Sequence, residues 1–330
     1  MSKVIVTGAN GFVGAWLVKG LLQQGHQVSI FCRESSELSD LQGLEFEKRF
    51  GDITDISSTN KAFLGMDTVF HLAGLVAYKK SDRSKMDLVN VQGTNHVVES
   101  VKKNQVSKLV HFSSVVAVGA GFSADEILNE NTKFNLSHLN LGYFETKRQA
   151  EQIVLQAFQK KEIDCVIVNP STIYGPADAK KGSRSNQIKV ARGKMPFYTS
   201  GGVSVVGIEN VIQGTLAAWK KGRSGERYIL SGENLTIKRL FELIAKEAGV
   251  SPPKVKLASP ILHFLGAVTE GLKQVGLKGP ISSETAWTST LFHWFDSSKA
   301  QRELDFKPGS AEKAIAASVA WMKENGLINR

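Results

Sequence analysis

The chain has 330 residues, of which 42% are hydrophobic and 22% charged, with a formal net charge of +10 at pH 7. That length holds a nucleotide-binding domain plus a smaller lobe, and the composition is that of an ordinary globular protein. No run of about 18 apolar residues occurs, so a spanning helix is excluded, and the two cysteines, Cys32 and Cys165, sit in apolar strand-like runs that rule out a disulfide framework, a redox pair or a metal site.

The excess positive charge lies in small scattered clusters, Lys79-Lys80, Lys102-Lys103 and Lys160-Lys161, with no basic stripe interleaved with aromatics. Nucleic acid is therefore not an expected partner; solubility, an anionic cofactor or an acidic membrane surface accounts for the charge. The first residues enter a strand directly, without the apolar core of a signal peptide, so the expectation is a cytoplasmic protein.

Val4-Ile5-Val6-Thr7 is a β-branched run that stops at Gly8, and an amphipathic run with Phe12, Val13, Trp16, Leu17, Leu21 and Leu22 follows. This predicts strand, tight loop and helix, with the uncapped N–H groups and positive dipole end of the helix forming an anion site over the loop. In Gly8-Ala9-Asn10-Gly11-Phe12-Val13-Gly14, Gly8 permits the turn, Gly11 the approach of a pyrophosphate, and Gly14 the packing of helix on strand. The loop residues Asn10, Phe12 and Val13 are candidate cofactor contacts with the three glycines.

Strand and helix signals then alternate: strand 27–32, strand 44–50, helix 56–63, strand 68–71, helix 85–104, strand 108–112, helix 143–161 and strand 164–169. Strands joined by helical crossovers give a parallel sheet covered on both faces, an α/β, doubly wound Rossmann fold with its ligand beyond the carboxyl ends of the strands. Residues 1–176 form this domain. The pattern loosens from 177, where Ala177–Gly202 reads as a mobile loop with one short helix, followed by helix 209–221, strand 227–230, a capped helix 236–248 and an apolar stretch 259–276. Residues 177–330 are expected to form a smaller, partly interleaved C-terminal substrate lobe, with segments near 203–231 and 281–296 returning to the first domain.

The end of the second strand reads the adenosine ribose in such a fold: an acid there accepts from the 2′-hydroxyl, an arginine attracts a 2′-phosphate. Cys32 stands where the acid would be and Arg33 follows, which favours NADP(H) over NAD(H); the alternative leaves Arg33 solvated and Glu34 on the ribose. Gly51-Asp52-Ile53 is placed to meet the adenine, although Asp52 also suits a turn. Tyr143 and Lys147, four residues apart, share a helix face, where a lysine cation lowers a phenol toward the working pH range. The preceding strand ends in Ser113-Ser114, hydroxyls at the ligand edge. The other histidines, His26, His96, His138, His263 and His293, show no ligand spacing.

Gly8/Gly11/Gly14, His71-Leu72-Ala73-Gly74, Asn90-Val91-Gln92-Gly93-Thr94, Ser113-Ser114, Tyr143/Lys147 and Asn169-Pro170-Ser171-Thr172-Ile173-Tyr174-Gly175-Pro176 follow in this order. Together they resemble the extended short-chain dehydrogenase/reductase superfamily, the NAD(P)-dependent epimerase/dehydratase group, over 1–176 and more loosely beyond. The chain is most similar there to dihydroflavonol-4-reductase-like and 3β-hydroxysteroid dehydrogenase-like members. The resemblance implies an oxidoreductase in which Ser114 orients the substrate carbonyl, with Ser113 as the alternative. It makes Tyr143 the general acid and puts Lys147 on the nicotinamide ribose. It also implies that Leu72, Ala73 and Gly74 line the adenine–pyrophosphate cleft, that Asn90 steadies the strand ends, and that Pro170, Ser171, Thr172 and Ile173 lie near the nicotinamide.

Two reactions remain in view. Sugar-nucleotide members of that superfamily usually carry an arginine for the substrate diphosphate before the helix at Glu209 and another before the D-x-S-K-A pattern. Here those runs are Gly201–Gly207 and Trp287–Phe295, without arginine. Trp287, Phe292, Trp294 and Phe295 instead suggest an apolar substrate, or else the core of the lobe; Arg184, Arg192 or Lys194 could still supply phosphate contacts. The favoured reading is an NADPH-dependent reductase of a ketone on an apolar or polycyclic small molecule; the alternative is an NAD-dependent nucleotide-sugar epimerase or dehydratase. A dinucleotide sensor without turnover fits the intact Ser114/Tyr143/Lys147 set less well. A homodimer is among the expectations, and the apolar stretch 259–276 is read first as lobe packing, with a peripheral membrane contact as the alternative.

Overall fold

The computed structural model describes residues 1–180, 184–274 and 281–328. Its first half alternates β1 (Lys3–Thr7), α1 (Phe12–Gln23), β2 (Gln27–Cys32), β3 (Glu47–Phe50), α2 (Ile56–Phe63) and β4 (Thr68–His71). A helical run follows as α3 (Arg83–Met86), a π-helical segment Asp87–Gln92 and α4 (Gly93–Lys103), then β5 (Lys108–Phe112), α5 (Gly142–Gln159) and β6 (Cys165–Pro170). The second half holds β7 (Thr172–Tyr174), α6 (Ser185–Ala191), β8 (Phe197–Tyr198), β9 (Gly202–Gly207), α7 (Ile208–Lys221), β10 (Arg227–Leu230), β11 (Glu233–Thr236) and α8 (Ile237–Ala248). It ends with β12 (Val255–Lys256), α9 (Ser259–Gln274), α10 (Ser283–Thr288), β13 (Phe292–His293), α11 (Ser298–Leu304) and α12 (Ala311–Glu324).

Seven parallel strands form the main sheet in the order β10-β6-β5-β4-β1-β2-β3. The alternation of strand side chains divides its core. Val4, Val6, Ile30, Val166 and Val168 face α1 and α7, whereas Ile5, Val69, Leu109, Cys165 and Ile167 face α2, α4 and α5. The chain reverses its winding between β1 and β4, and a doubly wound sheet binds ligands at that point beyond its carboxyl edge. A smaller sheet, β11-β9-β13 with β7 also paired to β9, lies in the second half, whereas β10 joins the main sheet beside β6. Bridges from Gly121 to Phe292 and Leu128 to Phe295 tie the segment after β5 to the C-terminal part.

Three elements differ from the sequence reading. The third strand is shorter, because it is an edge strand whose pairing starts only at Glu47 opposite Ser29; Leu44 and Phe46 pack on the core instead. The helix expected over 85–104 starts at Arg83 and is widened to π geometry around Asn90. The stretch expected to be a mobile loop after Pro176 is pinned, since Arg192 donates through Nε and a terminal nitrogen to the Leu327 carbonyl at 2.8 and 2.6 Å. Residues 181–183 of it, and Val275 and Gly276 of the apolar stretch, lie outside the described residues.

The first turn of α1 rests directly on the turn after β1. A Cβ on Gly14 would stand 2.2 Å from the Gly8 carbonyl oxygen, and neither atom belongs to a flexible side chain. Gly14→Ala is expected to cost about 1–3 kcal/mol by forcing this backbone contact apart, read as a lower midpoint in urea unfolding at unchanged slope. An unchanged midpoint would refute the contact.

Candidate active site

Gly8 has φ +72°, where a side chain is strained, and a Cβ there would also lie 2.7 Å from the Ala73 amide nitrogen. Two strand ends thus meet without side chains between them. Gly11 is the N-cap of α1 and supplies no capping oxygen, and no acid stands in the first turn. The helix start therefore presents unpaired N–H groups and its positive dipole end to the cleft, which fits a pyrophosphate.

Behind this cradle runs a buried polar chain. Thr7 Oγ1 accepts from the Ala73 amide at 3.1 Å and shares a 2.9 Å bond with His71 Nδ1; His71 Nε2 shares a 3.0 Å bond with Thr94 Oγ1, which donates to the Asn90 carbonyl at 2.6 Å. The Asn90 side chain accepts from Leu75 N at 2.7 Å and donates to Leu75 O at 2.9 Å and Thr146 Oγ1 at 3.1 Å. Asn90 thus fixes the loop carrying Ala73 and Gly74 against the helix that carries Tyr143 and Lys147. The π-helical segment is where it sits.

At the end of β2, Cys32 is buried and Arg33 exposed, with no side-chain hydrogen bond to Arg33 among the described residues. Burial alone would raise the Asp52 carboxyl; bonds from Thr54 N at 2.9 Å and Thr54 Oγ1 at 2.8 Å, with the charge of Arg33, hold it below its usual value. Asp52 is thus committed as a turn residue. Ile53 packs on Gly93, and its carbonyl meets His96 Nδ1 at 3.2 Å.

The two serines separate. Ser113 Oγ donates to Glu151 Oε2 at 2.7 Å, and the same carboxylate takes Asn169 Nδ2 at 2.8 Å and Arg227 at 2.8 Å. Ser113 is thereby turned into the protein, whereas the Ser114 hydroxyl, which accepts from the Val116 amide at 3.4 Å, is the one that acts on the Tyr143 phenol. Glu151 and Arg227 escaped the sequence reading. The signal for Glu151 was its place one turn after Lys147, where a carboxylate faces the ammonium.

Burial, reinforced by Tyr78 and opposed by the bond from Ser114, raises the Tyr143 phenol above its ordinary range. The spacing of Tyr143 and Lys147 predicts the reverse. The difference arises because Lys147 donates to the Phe112 carbonyl at 2.9 Å and is itself desolvated: burial pushes its ammonium down to about 8 against the support of Glu151. Tyr143 is therefore a neutral phenol at neutral pH, a proton donor. Its surroundings are apolar. It packs in a cluster with Val116, Leu141, Phe144, Leu291 and Trp287, and the Tyr78 ring meets it edge-on at 6.1 Å.

The aromatic run before D-x-S-K-A divides between site and core. Trp287 belongs to the Tyr143 cluster; Trp294 donates to Leu235 O at 3.1 Å and Phe295 is buried with Val115, Val118, Leu128 and Ile229. Of the loop cations, Arg184 stacks 4.2 Å over Tyr174, lies 3.6 Å from the Asp178 carboxylate and donates to the Ile173 carbonyl, and Arg192 holds Leu327; Lys194 is exposed. Ser171 N donates to Leu230 O at 3.2 Å, and β7 carries Thr172 and Ile173 beside β9, with the Pro176 carbonyl 3.3 Å from Trp16 Nε1 of α1. Pro170–Ile173 therefore follow the carboxyl end of β6, in the same edge region as the glycine loop. Among the described residues no cluster of histidine, cysteine and acid could hold a metal.

Residues 5–235 match the model of the 3-beta hydroxysteroid dehydrogenase/isomerase family. The chain belongs to this family. It is an oxidoreductase of the extended short-chain dehydrogenase/reductase type, and the family is NAD(P)-dependent. A Synechocystis sp. protein named for dihydroflavonol 4-reductase is 33% identical over 98% of this chain and 95% of its own length. "Sterol demethylase protein B" of Methylococcus capsulatus is 30% identical over 98% and 99%. The crystal structure of gox2253 superposes with a TM-score of 0.89 at 32% identity, covering 100% of both chains.

Beneath the candidate site, His111 pairs in register with His71, rings 5.4 Å apart, and neither of its ring nitrogens has a hydrogen-bond partner among the described residues. Burial, with the charge of Lys147, pushes His71 down to about 3 and His111 well below its ordinary value. Both stay neutral in the fold and take up a proton on unfolding below about pH 6.5, so stability falls as pH drops from there toward the folded values, by about 1.4 kcal/mol per unit for each group. His111→Leu removes one such group and an unpaired buried polar ring, so a higher melting temperature and a shallower acid slope are expected in melts from pH 7 to 4.5. A steeper slope would contradict it.

Proposed function

We propose that the chain is an NADPH-dependent reductase that converts a ketone on an apolar or polycyclic small molecule to a secondary alcohol. The observation that carries this is the apolar cluster around a neutral Tyr143, with Arg184 and Arg192 bonded within the protein and so not free to pair with a substrate diphosphate. Ser114, the serine that acts on Tyr143, donates a hydrogen bond to the carbonyl oxygen as negative charge develops there. Tyr143 gives its proton to that oxygen, which a phenol raised by burial holds at neutral pH. The cofactor, when bound, supplies the hydride to the carbonyl carbon. Gly8, Gly11 and Gly14, with Asn10, Phe12 and Val13, hold its pyrophosphate, Leu72, Ala73 and Gly74 line the cleft, and Pro170–Ile173 flank the nicotinamide. Lys147 would hold the ribose hydroxyls, and Asn90 keeps the two walls in register.

Tyr143→Phe is expected to lower kcat/KM for an apolar ketone at least 100-fold, the size of a general-acid contribution, with NADPH binding intact. A wild-type rate in that variant would overturn the reading. If the rate needs charged Lys147, kcat/KM falls as pH rises through about 8, the value to which burial pushes the free ammonium; a rate flat to pH 10 would exclude that need.

Arg33 supports NADP(H): it is exposed at the carboxyl end of β2, where Cys32 takes the place of the acid that would meet a 2′-hydroxyl. A charge-assisted contact to a 2′-phosphate is worth about 1.5–3 kcal/mol. Arg33→Ala should therefore weaken NADPH about 10- to 100-fold in fluorescence titrations and leave NADH within about twofold; equal loss for both would refute the assignment.

A further inference from the structure

Solvent meets an unusual surface on α9. Pro260, Ile261, Phe264, Ala267, Val268 and Gly271, spaced along one stripe of the helix, are exposed, Phe264 by 68% and Ile261 by 50%. The opposite stripe is the buried one: Leu262 and Thr269 are covered, and a Cβ on Gly266 would lie 3.2 Å from Ala286 of α10. A helix packed on a domain normally turns charges outward; this one turns apolar groups both ways.

Charge on and beside the stripe is mostly positive. From Ser251 to Gln274 the sequence carries Lys254, Lys256 and Lys273 against the single acid Glu270; Lys254 and Lys256 are exposed, with Val255 between them exposed by 62%. The face also adjoins the site. His263 stacks on Trp287 at 4.1 Å, Trp287 belongs to the Tyr143 cluster, and Ser282 at the start of α10 donates to the Tyr78 carbonyl at 3.4 Å.

We propose that α9 docks on a lipid bilayer bearing anionic headgroups, with Ile261, Phe264 and Val268 in the acyl boundary and Lys254 and Lys256 on the headgroups. An interfacial helix has this build, an apolar face immersed by about 5–10 Å and lysines at its margin, each worth about 1 kcal/mol on an anionic surface. A second copy of the chain fits less well, since a stripe of six residues is far short of the roughly 800 Å² per partner of a standard interface. Docking places the apolar wall of the cleft beside the membrane, so that an apolar ketone reaches Tyr143 without crossing water; this last step alone rests on the reductase reading.

The test is cosedimentation of the full chain with phosphatidylcholine vesicles and with vesicles carrying one-third phosphatidylglycerol. The wild type is expected to pellet with the anionic vesicles, at least tenfold less with the neutral ones, and less as salt rises. Ile261→Glu/Phe264→Glu and Lys254→Glu/Lys256→Glu should each abolish pelleting while keeping the melting temperature and the rate on a water-soluble ketone. Wild type remaining in the supernatant with both vesicles, pelleting unchanged in the first variant, or a dimer by light scattering that this variant splits would overturn the proposal. Vesicle binding is read without turnover, so absence of ketone reduction in the wild type sinks the reductase reading and leaves the docking result standing.

Discussion

The contact on which the site depends is the meeting of three backbones at Gly8. With the Gly8 carbonyl underneath Gly14 and the Ala73 amide against Gly8, the strand ends β1 and β4 and the first turn of α1 share a space that holds no side chain. Because interiors do not deform continuously, a single methyl in that space shifts the helix and the cleft together. The anion cradle and the packing of α1 are thus one feature, and its cost in lost side-chain contacts is met by the buried strands on both sides of the sheet.

A second constraint ties this cradle to the chemistry. The chain Ala73–Thr7–His71–Thr94–Asn90–Thr146 crosses from the glycine loop to the helix of Tyr143 with each of its hydroxyl, imidazole and amide side chains partnered. A network satisfied in this way specifies one arrangement, whereas a half-satisfied one would permit several. On the far side, Glu151 gathers Ser113 just past β5, Asn169 of β6 and Arg227 of β10, and leaves Ser114 as the serine that acts on Tyr143. Order at the site comes from buried polar bonds, and the groups in front of it are apolar.

The elements of the first half were legible because each is set by local pattern. β2, α2, β4 and β5 end where the alternation of apolar residues ends. The glycine loop was legible for the same reason, since Gly8 and Gly14 answer a local backbone demand. What the sequence did not display was long-range. Whether Ser113 or Ser114 faces the cleft turns on Glu151, 38 residues away from Ser113. Whether Trp287 or Trp294 lines a wall turns on which of α10 and β9 each packs against. The direction of the Tyr143 shift was misread because spacing reports a neighbour and not its burial: a lysine that is itself desolvated and bonded to Phe112 gives little support to a phenolate.

That difference bears on the protonation state from which a reaction at Tyr143 would start. A phenol lowered toward neutrality would serve equally as base for an alcohol or acid for a ketone. A phenol raised by an apolar cluster holds its proton, and in the absence of a second charge it acts first as a donor. The same cluster that would accept an apolar ketone therefore also sets the protonation state that reducing it requires. On the reductase reading proposed above, the dryness of the wall around Tyr143 serves both an apolar substrate and the protonated phenol, and a polar substitution at Val116 or Leu291 would alter both at once.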